Sequence, residues 1–408
     1  SKIIFFFLCL VVESLKYNYY NNNIKMNTFL KFIFIIAICT IFTTEKLIAS
    51  EKIKIGLLVP LSGQHKSTGE QILKSVRLAI NKINNPNIEI LPKDTMADPS
   101  ITYEKAKELE ENGVKIVIGP IFNKNLILLN NLNNIIFLSL TNKTIKNPKN
   151  VISVGINAQS QLKAIINFQK LNNLKETIFL LPKSDYEDEI KRAIPKSNIK
   201  IKKLYRYDDD PTKLTKYIEK ITKYQERKLD LKKEIERLKN SDIANKEKKI
   251  ETLEKKDTIG KVNFDSVIIA DFDESLKSIT TSLLYTDVSP KKIYFITLNQ
   301  WFDNSLLKEK STQPLYFPSI DKVNYQEFSE EYYSTYKEYP NQLSILSYDL
   351  VGLIYYLTYQ NNFVIDEKLF IKKNKFKGKI GTFEIKQNKI SHILNFYKVE
   401  DEKFKKIF

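Results

Sequence analysis

The chain has 408 residues, of which 42% are hydrophobic, 12% aromatic and 28% charged, enough apolar content for a large core and too much for a disordered protein. Lys plus Arg total 65 against 48 Asp plus Glu, a net charge of +17. Its 10 glycines exclude collagen-like and Gly-linker classes, and two cysteines (Cys9, Cys39) with two histidines (His65, His392) leave little for metal or thiol chemistry.

Single cores seldom grow past about 250–300 residues, so two lobes are expected. Lysine is spread along the chain beside abundant Asn, Ile, Phe and Tyr. That pattern reads as compositional drift, not as the clustered patch of a nucleic-acid binder, and no nucleic-acid partner is expected.

Residues 1–25 read as an upstream or misassigned leader. From Met26 the order is secretory: Lys31 is the positive residue, Phe32 to Phe42 an apolar run, and Ala49-Ser50 a small-residue cleavage site. The run falls short of the roughly 20 residues of a membrane span. Residues 26–50 therefore read as a signal peptide, with a retained anchor as the competing reading. Residues 51–408 contain no cysteine, which excludes thiol catalysis and disulfides after cleavage. The expected location is outside the cytoplasm, with membrane contact only through the signal segment.

Short apolar runs then alternate with helical patterns. KIGLLV (54–59), IEIL (88–91), VKIVIG (114–119), IIFLSL (135–140) and VISVG (151–155) predict buried strands. Helices are predicted from Gly69 to Ile83, from Tyr103 to Asn112 with Gly113 as C-cap, and up to Leu132. A second series has strands at 177–182, 199–205, 266–270 and 292–296, with PLYFPS (314–319) as a return crossing. Helices follow at 325–337 and 345–359, and then an antiparallel hairpin, 377–385 with 390–399, around Gln387-Asn388. Strands of this kind separated by helices predict parallel sheets covered on both faces.

From Tyr224 to Thr258 the sequence is charge-dense, with an apolar stripe through Leu231, Ile235, Leu238, Ile243, Ile250 and Leu253. It predicts a projecting αα-hairpin whose first helix runs unbroken from Pro211 to Lys239, about 40 Å, with a disordered charged loop as the competing reading. Ile235, Leu238 and Ile243 are its candidate partner-binding residues.

The sequence has no phosphate-binding glycine loop, nucleophile elbow or H-E-x-x-H pattern. No enzyme, metal site or cofactor is expected. Asp208-Asp209-Asp210 before Pro211 reads as a helix cap, not a cation site. In open α/β lobes ligands lie beyond the carboxyl ends of strands. The segments placed there give Ser62, Asn123, Lys124, Ser139, Thr141, Thr144, Tyr186, Phe272, Asn299 and Trp301 as cleft candidates.

KIGLLVPLSGQHKSTGEQILKSVRLAINKIN, KDTMADPS, VKIVIGP, and the later YDLVGLIYYL and FKGKIGTFEI together resemble the landmarks of type I periplasmic binding proteins. The nearest branches are the Leu/Ile/Val-type amino-acid binders and the penicillin-binding-protein activators. The resemblance implies an α/β fold of two Rossmann-like lobes with parallel sheets, plus the helical-hairpin insertion at 225–258. It places 51–156 and 320–375 in lobe 1, and 157–319 and 376–408 in lobe 2, with closure around a cleft.

Departures bear on function. The Ser/Thr-rich turn that grips a carboxylate in amino-acid binders reads Phe122-Asn123-Lys124, and the acidic partner of the ligand ammonium reads Asn299. The first functional expectation is a non-catalytic regulator of peptidoglycan synthesis, acting through contacts with a peptidoglycan synthase. The alternative is the substrate-binding protein of an ABC importer, holding a small polar ligand and docking on an ABC permease.

Overall fold

The computed structural model describes residues 52–208, 210–366 and 368–408. The leader and signal-peptide readings and Asp209 lie outside them. Five parallel strands form the first sheet: β1 (Ile53–Val59), β2 (Ile88–Asp94), β3 (Ile116–Ile118), β4 (Ile136–Ser139) and β5 (Val151–Ser153), in the order β2-β1-β3-β4-β5. β1, β3, β4 and β5 are continuous apolar runs whose burial on both faces explains the absence of alternation, whereas β2, at the sheet edge, is only partly buried.

Helices α1 (Lys66–Ile83) and α2 (Pro99–Glu111) connect the first three strands. Asp98 caps α2 by accepting the Ser100 and Ile101 N–H groups, with Pro99 at the first helical position. Gly56 lets α2 approach the sheet, because a Cβ there would lie 2.8 Å from Leu109 and from Val117. Gly113 takes φ +75° just past α2, as a C-terminal glycine does. The helix expected after β3 is a 3₁₀ helix, Asn123–Asn131.

After β5 the chain crosses to a second sheet made of β6 (Thr177–Pro182), β7 (Lys203–Tyr207), β8 (Ser266–Ile269), β9 (Tyr294–Thr297), β10 (Leu315–Ser319), β14 (Asn395–Glu400) and β15 (Lys403–Lys406). Its order is β15-β14-β10-β9-β8-β6-β7. Strands β6 to β10 are parallel, and β14 pairs antiparallel with β10. Helices α3 (Ala158–Leu171), α4 (Glu187–Ser197) and α5 (Pro211–Thr222) belong to this half. Asp210 caps α5 through the Thr212 N–H and hydroxyl, in keeping with the cap reading.

The predicted unbroken helix from Pro211 to Lys239 is corrected. The helix stops at Thr222, Lys223 adopts φ 52°, and α6 (Tyr224–Lys239) starts afresh, about 24 Å long. Helix α7 (Lys246–Glu254) folds back beside α6, so the pair is helical and not a disordered loop. Its base is locked by Arg227, buried, which donates to the Thr222 carbonyl (3.0 Å), the Thr258 hydroxyl (2.9 Å) and the Thr286 carbonyl (2.5 Å).

Helix α8 (Asp273–Tyr285) and a single turn, α9 (Ser305–Lys308), precede β10; α10 (Lys322–Tyr336) and α11 (Gln342–Gln360) follow it and pack on α1. A third sheet holds β11 (Asn374–Lys377), β12 (Thr382–Lys386) and β13 (Lys389–Ile393), all antiparallel. Gln387 and Asn388 both take positive φ in the β12–β13 turn. The predicted single strand 390–399 is in fact two, since the chain leaves β13 at Leu394 and joins the second sheet as β14.

Candidate functional site

Both sheets aim the carboxyl ends of their parallel strands at a shared cleft, where such folds place ligands. The cleft encloses about 700 Å³. Its first-lobe wall includes Asn142 and Lys143, which follow β4, and Gln342 at the start of α11. Its second-lobe wall comes from the turns after β6, β8 and β9, including Tyr186, Phe272, Asn299 and Trp301.

Asn299 is the most constrained of these. It is 4% exposed, and its Oδ1 accepts the Trp301 N–H at 3.0 Å and the Ser319 hydroxyl at 2.8 Å. Its own N–H donates to Gln161 on α3 at 2.9 Å. With Oδ1 fixed by two donors, Nδ2 is the free end, and it is buried without a hydrogen-bond partner. An unpaired buried amide donor costs about 1–3 kcal/mol, so a bound acceptor there is favoured.

Trp301 and Phe302 take φ 49° and 59°, a tight turn that holds the indole beside Asn299. Phe272 is 41% exposed at the rim. The Tyr186 hydroxyl lies near the Ala158 N–H but makes no hydrogen bond of good geometry. Burial, and next the Glu189 carboxylate, push its pKa well above the ordinary phenol value.

The other six cleft candidates do not line this cavity. The Ser62 hydroxyl and the Leu61 N–H bind Asp94 at 2.6 and 2.7 Å. Burial opposes the charge on Asp94, but the Ser62 hydroxyl and the Met96, Leu61 and Ser62 N–H groups outweigh it and hold the pKa below the usual aspartate value. Lys124 is exposed, Phe122 packs on His65, and Asn123 Oδ1 is buried without a partner. Ser139 donates to the Pro120 carbonyl, and Thr141 accepts the Lys143 N–H.

Thr144 reaches across the cleft, a role no local pattern indicates. Its N–H and hydroxyl donate to Glu189 at 2.6 and 2.8 Å, and the Ile145 N–H adds a third bond at 2.7 Å. Glu189 is buried on α4 of the second lobe, so this cluster fastens a first-lobe loop across to the other half. Glu189 and Gln161 sit inside ordinary helical patterns, and only the tertiary arrangement gives them roles.

Of the hairpin candidates, Leu238 is buried and Ile235 half-buried on α6. Ile243 at the tip is 38% exposed. Among the described residues no His/Cys/Asp/Glu group could hold a metal ion, and no helix is long and apolar enough to cross a membrane.

This architecture of two lobes around a cleft, with the chain crossing between sheets, is the type I periplasmic binding protein fold. Residues 52–223 match the Periplasmic binding protein family. The LpoA (YraM) C-domain from Haemophilus influenzae, a regulator of PBP1A, superposes with a TM-score of 0.59 at 14% identity, covering 87% of this chain and 100% of that one. The branched-chain amino acid transporter substrate binding protein LivJ from Streptococcus pneumoniae, in complex with isoleucine, gives 0.52 at 17% identity over 87% and 99%. An uncharacterised protein of Methanocaldococcus jannaschii is 28% identical over 171 residues, 37% of this chain and only 41% of that relative's length. At such identities the structural likenesses establish the fold. They include binding proteins and a regulator, not enzymes.

Proposed function

We propose that the chain is a non-catalytic, extracytoplasmic binding protein that captures a small polar ligand in the inter-lobe cleft and delivers it to an ABC permease. The observation that carries this reading is the unpartnered Nδ2 of buried Asn299 in the cleft wall. The ligand offers a hydrogen-bond acceptor to that donor and a flat or apolar face to Trp301 and Phe272. Position 299 supplies no carboxylate for an α-ammonium, which argues against a simple α-amino-acid grip there.

Asn299→Asp is the discriminating variant, since an aspartate oxygen still receives the Trp301 and Ser319 donors while the free donor becomes an acceptor. A ligand held through an acceptor should bind about 10–100-fold more weakly, the scale of a lost hydrogen bond made repulsive. Calorimetric titration of thermal-shift hits checks this, and equal affinity for both proteins would overturn the assignment.

A second reading, regulation of a peptidoglycan synthase through protein contacts, is supported by the insertion. Asp273 at the start of α8 borders the cleft, while the Arg227 lock grips Thr286 at the far end, about 20 Å along that helix. A rigidly based helix pair set away from the ligand suits a partner. Deleting 225–258 should abolish synthase stimulation under this reading and leave ligand affinity unchanged under the first.

A further inference from the structure

At the far end of α11, about 27 Å along the axis from cleft-lining Gln342, apolar and basic side chains crowd together. Tyr359 (63% exposed) in the last turn of α11, and Phe363 (45%), Val364 (52%) and Ile371 (45%) beyond it, stand out from the surface. Tyr359 and Phe363 meet edge to face at 5.7 Å, and both contact Tyr355.

The backbone beneath them is held. Leu369 and Phe370 are buried anchors, and Asn374 donates to Gln360 at the helix end. The Phe370 and Ile371 carbonyls accept the Asn388 and Gln387 N–H groups of the β12–β13 turn. These bonds bring two lysine-bearing segments together: Lys368, Lys372 and Lys373 on one, Lys386 and Lys389 on the other. All five are exposed, and none is in an ion pair among the described residues, whereas nearby Lys375 pairs with Glu384. Asp366 is the one described carboxylate on these two turns.

We propose that this face docks on an anionic lipid surface. Five ammonium groups without an ion pair among the described residues match a sheet of negative headgroups, and Tyr359 is an amphipathic ring of the kind that settles at a membrane interface, with Phe363 adding apolar area beside it. Val364 and Ile371 decide between occupants, because exposed aliphatic groups gain from acyl chains and nothing from a hydrated polyanion. Docking here leaves the cleft, at the other end of α11, free.

The test uses the full chain, so that residues 1–51 contribute equally to every sample, with phosphatidylglycerol-containing and pure phosphatidylcholine vesicles. Each lysine near the surface contributes about fivefold in binding. Replacing Lys368, Lys372, Lys373, Lys386 and Lys389 by Gln should weaken anionic-vesicle binding at least ~30-fold after screening. The same charge removal on the insertion, at Lys232, Lys233, Lys248, Lys249 and Lys256, should change it less than about threefold. Phe363→Ser with Val364→Ser should lose about tenfold with all charges kept. Equal loss in both lysine variants, or no preference of the wild type for anionic vesicles, overturns the proposal. So does a serine variant that binds normally, or binding to soluble heparin without binding to vesicles, since either indicates a polyanion site.

Discussion

Replacing Glu189 by Ala removes a carboxylate that receives three donors from the opposite lobe, Thr144 N–H, Thr144 hydroxyl and Ile145 N–H, at 2.6–2.8 Å. Hydrogen bonds to a charged group contribute about 1.5–3 kcal/mol each, less where water can replace the partner. If the lobes stayed together, three unpaired donors would cost several kcal/mol. Opening the cleft lets water satisfy them, so the loss is expected to appear first as a population shift toward open lobes. Small-angle scattering should then give a larger radius of gyration for Glu189→Ala without ligand, with only a modest fall in unfolding temperature. A Glu189→Gln, Thr144→Val double-mutant cycle should show a coupling of at least about 1 kcal/mol. An unchanged scattering curve together with an additive cycle would refute the idea that this cluster holds the lobes together.

Three further outcomes follow from buried groups. His392, buried, donates its Nε2–H to the Val154 carbonyl (2.8 Å) where the chain crosses between sheets, and burial lowers its pKa from 6.5 to about 4. Its contribution is fully present above pH 6.5 and lost as pH falls toward 4, about 3 kcal/mol, so urea titrations of His392→Leu should lack that acid slope. Asp349 on α11 accepts the Lys379 and Ile380 N–H groups at 2.8 Å, yet burial outweighs them and raises its pKa to about 7. Because the folded pKa lies above the unfolded one, stability falls by ~4 kcal/mol between pH 4 and 7, and the deficit of Asp349→Asn should shrink over that range in urea unfolding. Arg227→Met should free the insertion, raising amide exchange across 224–258 while the sheets remain protected, whereas uniform protection would contradict the lock at its base.

Most of the fold was legible because buried parallel strands write themselves as continuous apolar runs, and because Gly113 and Asp210 punctuate helix ends by known chemistry. The break at Lys223 was not, since a lysine in the left-handed region carries no glycine or proline signal. Nor was the division of 390–399, because the same alternating pattern serves one sheet before Leu394 and another after it. In the cleft, position after a strand located Tyr186, Phe272, Asn299 and Trp301, whose turns project into the cavity. The same rule overreached for Ser62, Ser139, Thr141 and Thr144, because hydroxyls in such turns often satisfy their own loops or, here, a carboxylate from the other lobe.

The claim that the cleft captures a ligand is tested most directly by a thermal-shift panel of amino acids, amides, short peptides and organic anions, run on the wild type and on Asn299→Asp. A ligand present at 100 times its dissociation constant adds about 2.7 kcal/mol to the stability of the folded state. At least one class should raise the wild-type melting temperature by several degrees and that of Asn299→Asp by no more than about half as much. A panel that stabilises neither protein, or stabilises both alike, would contradict the claim.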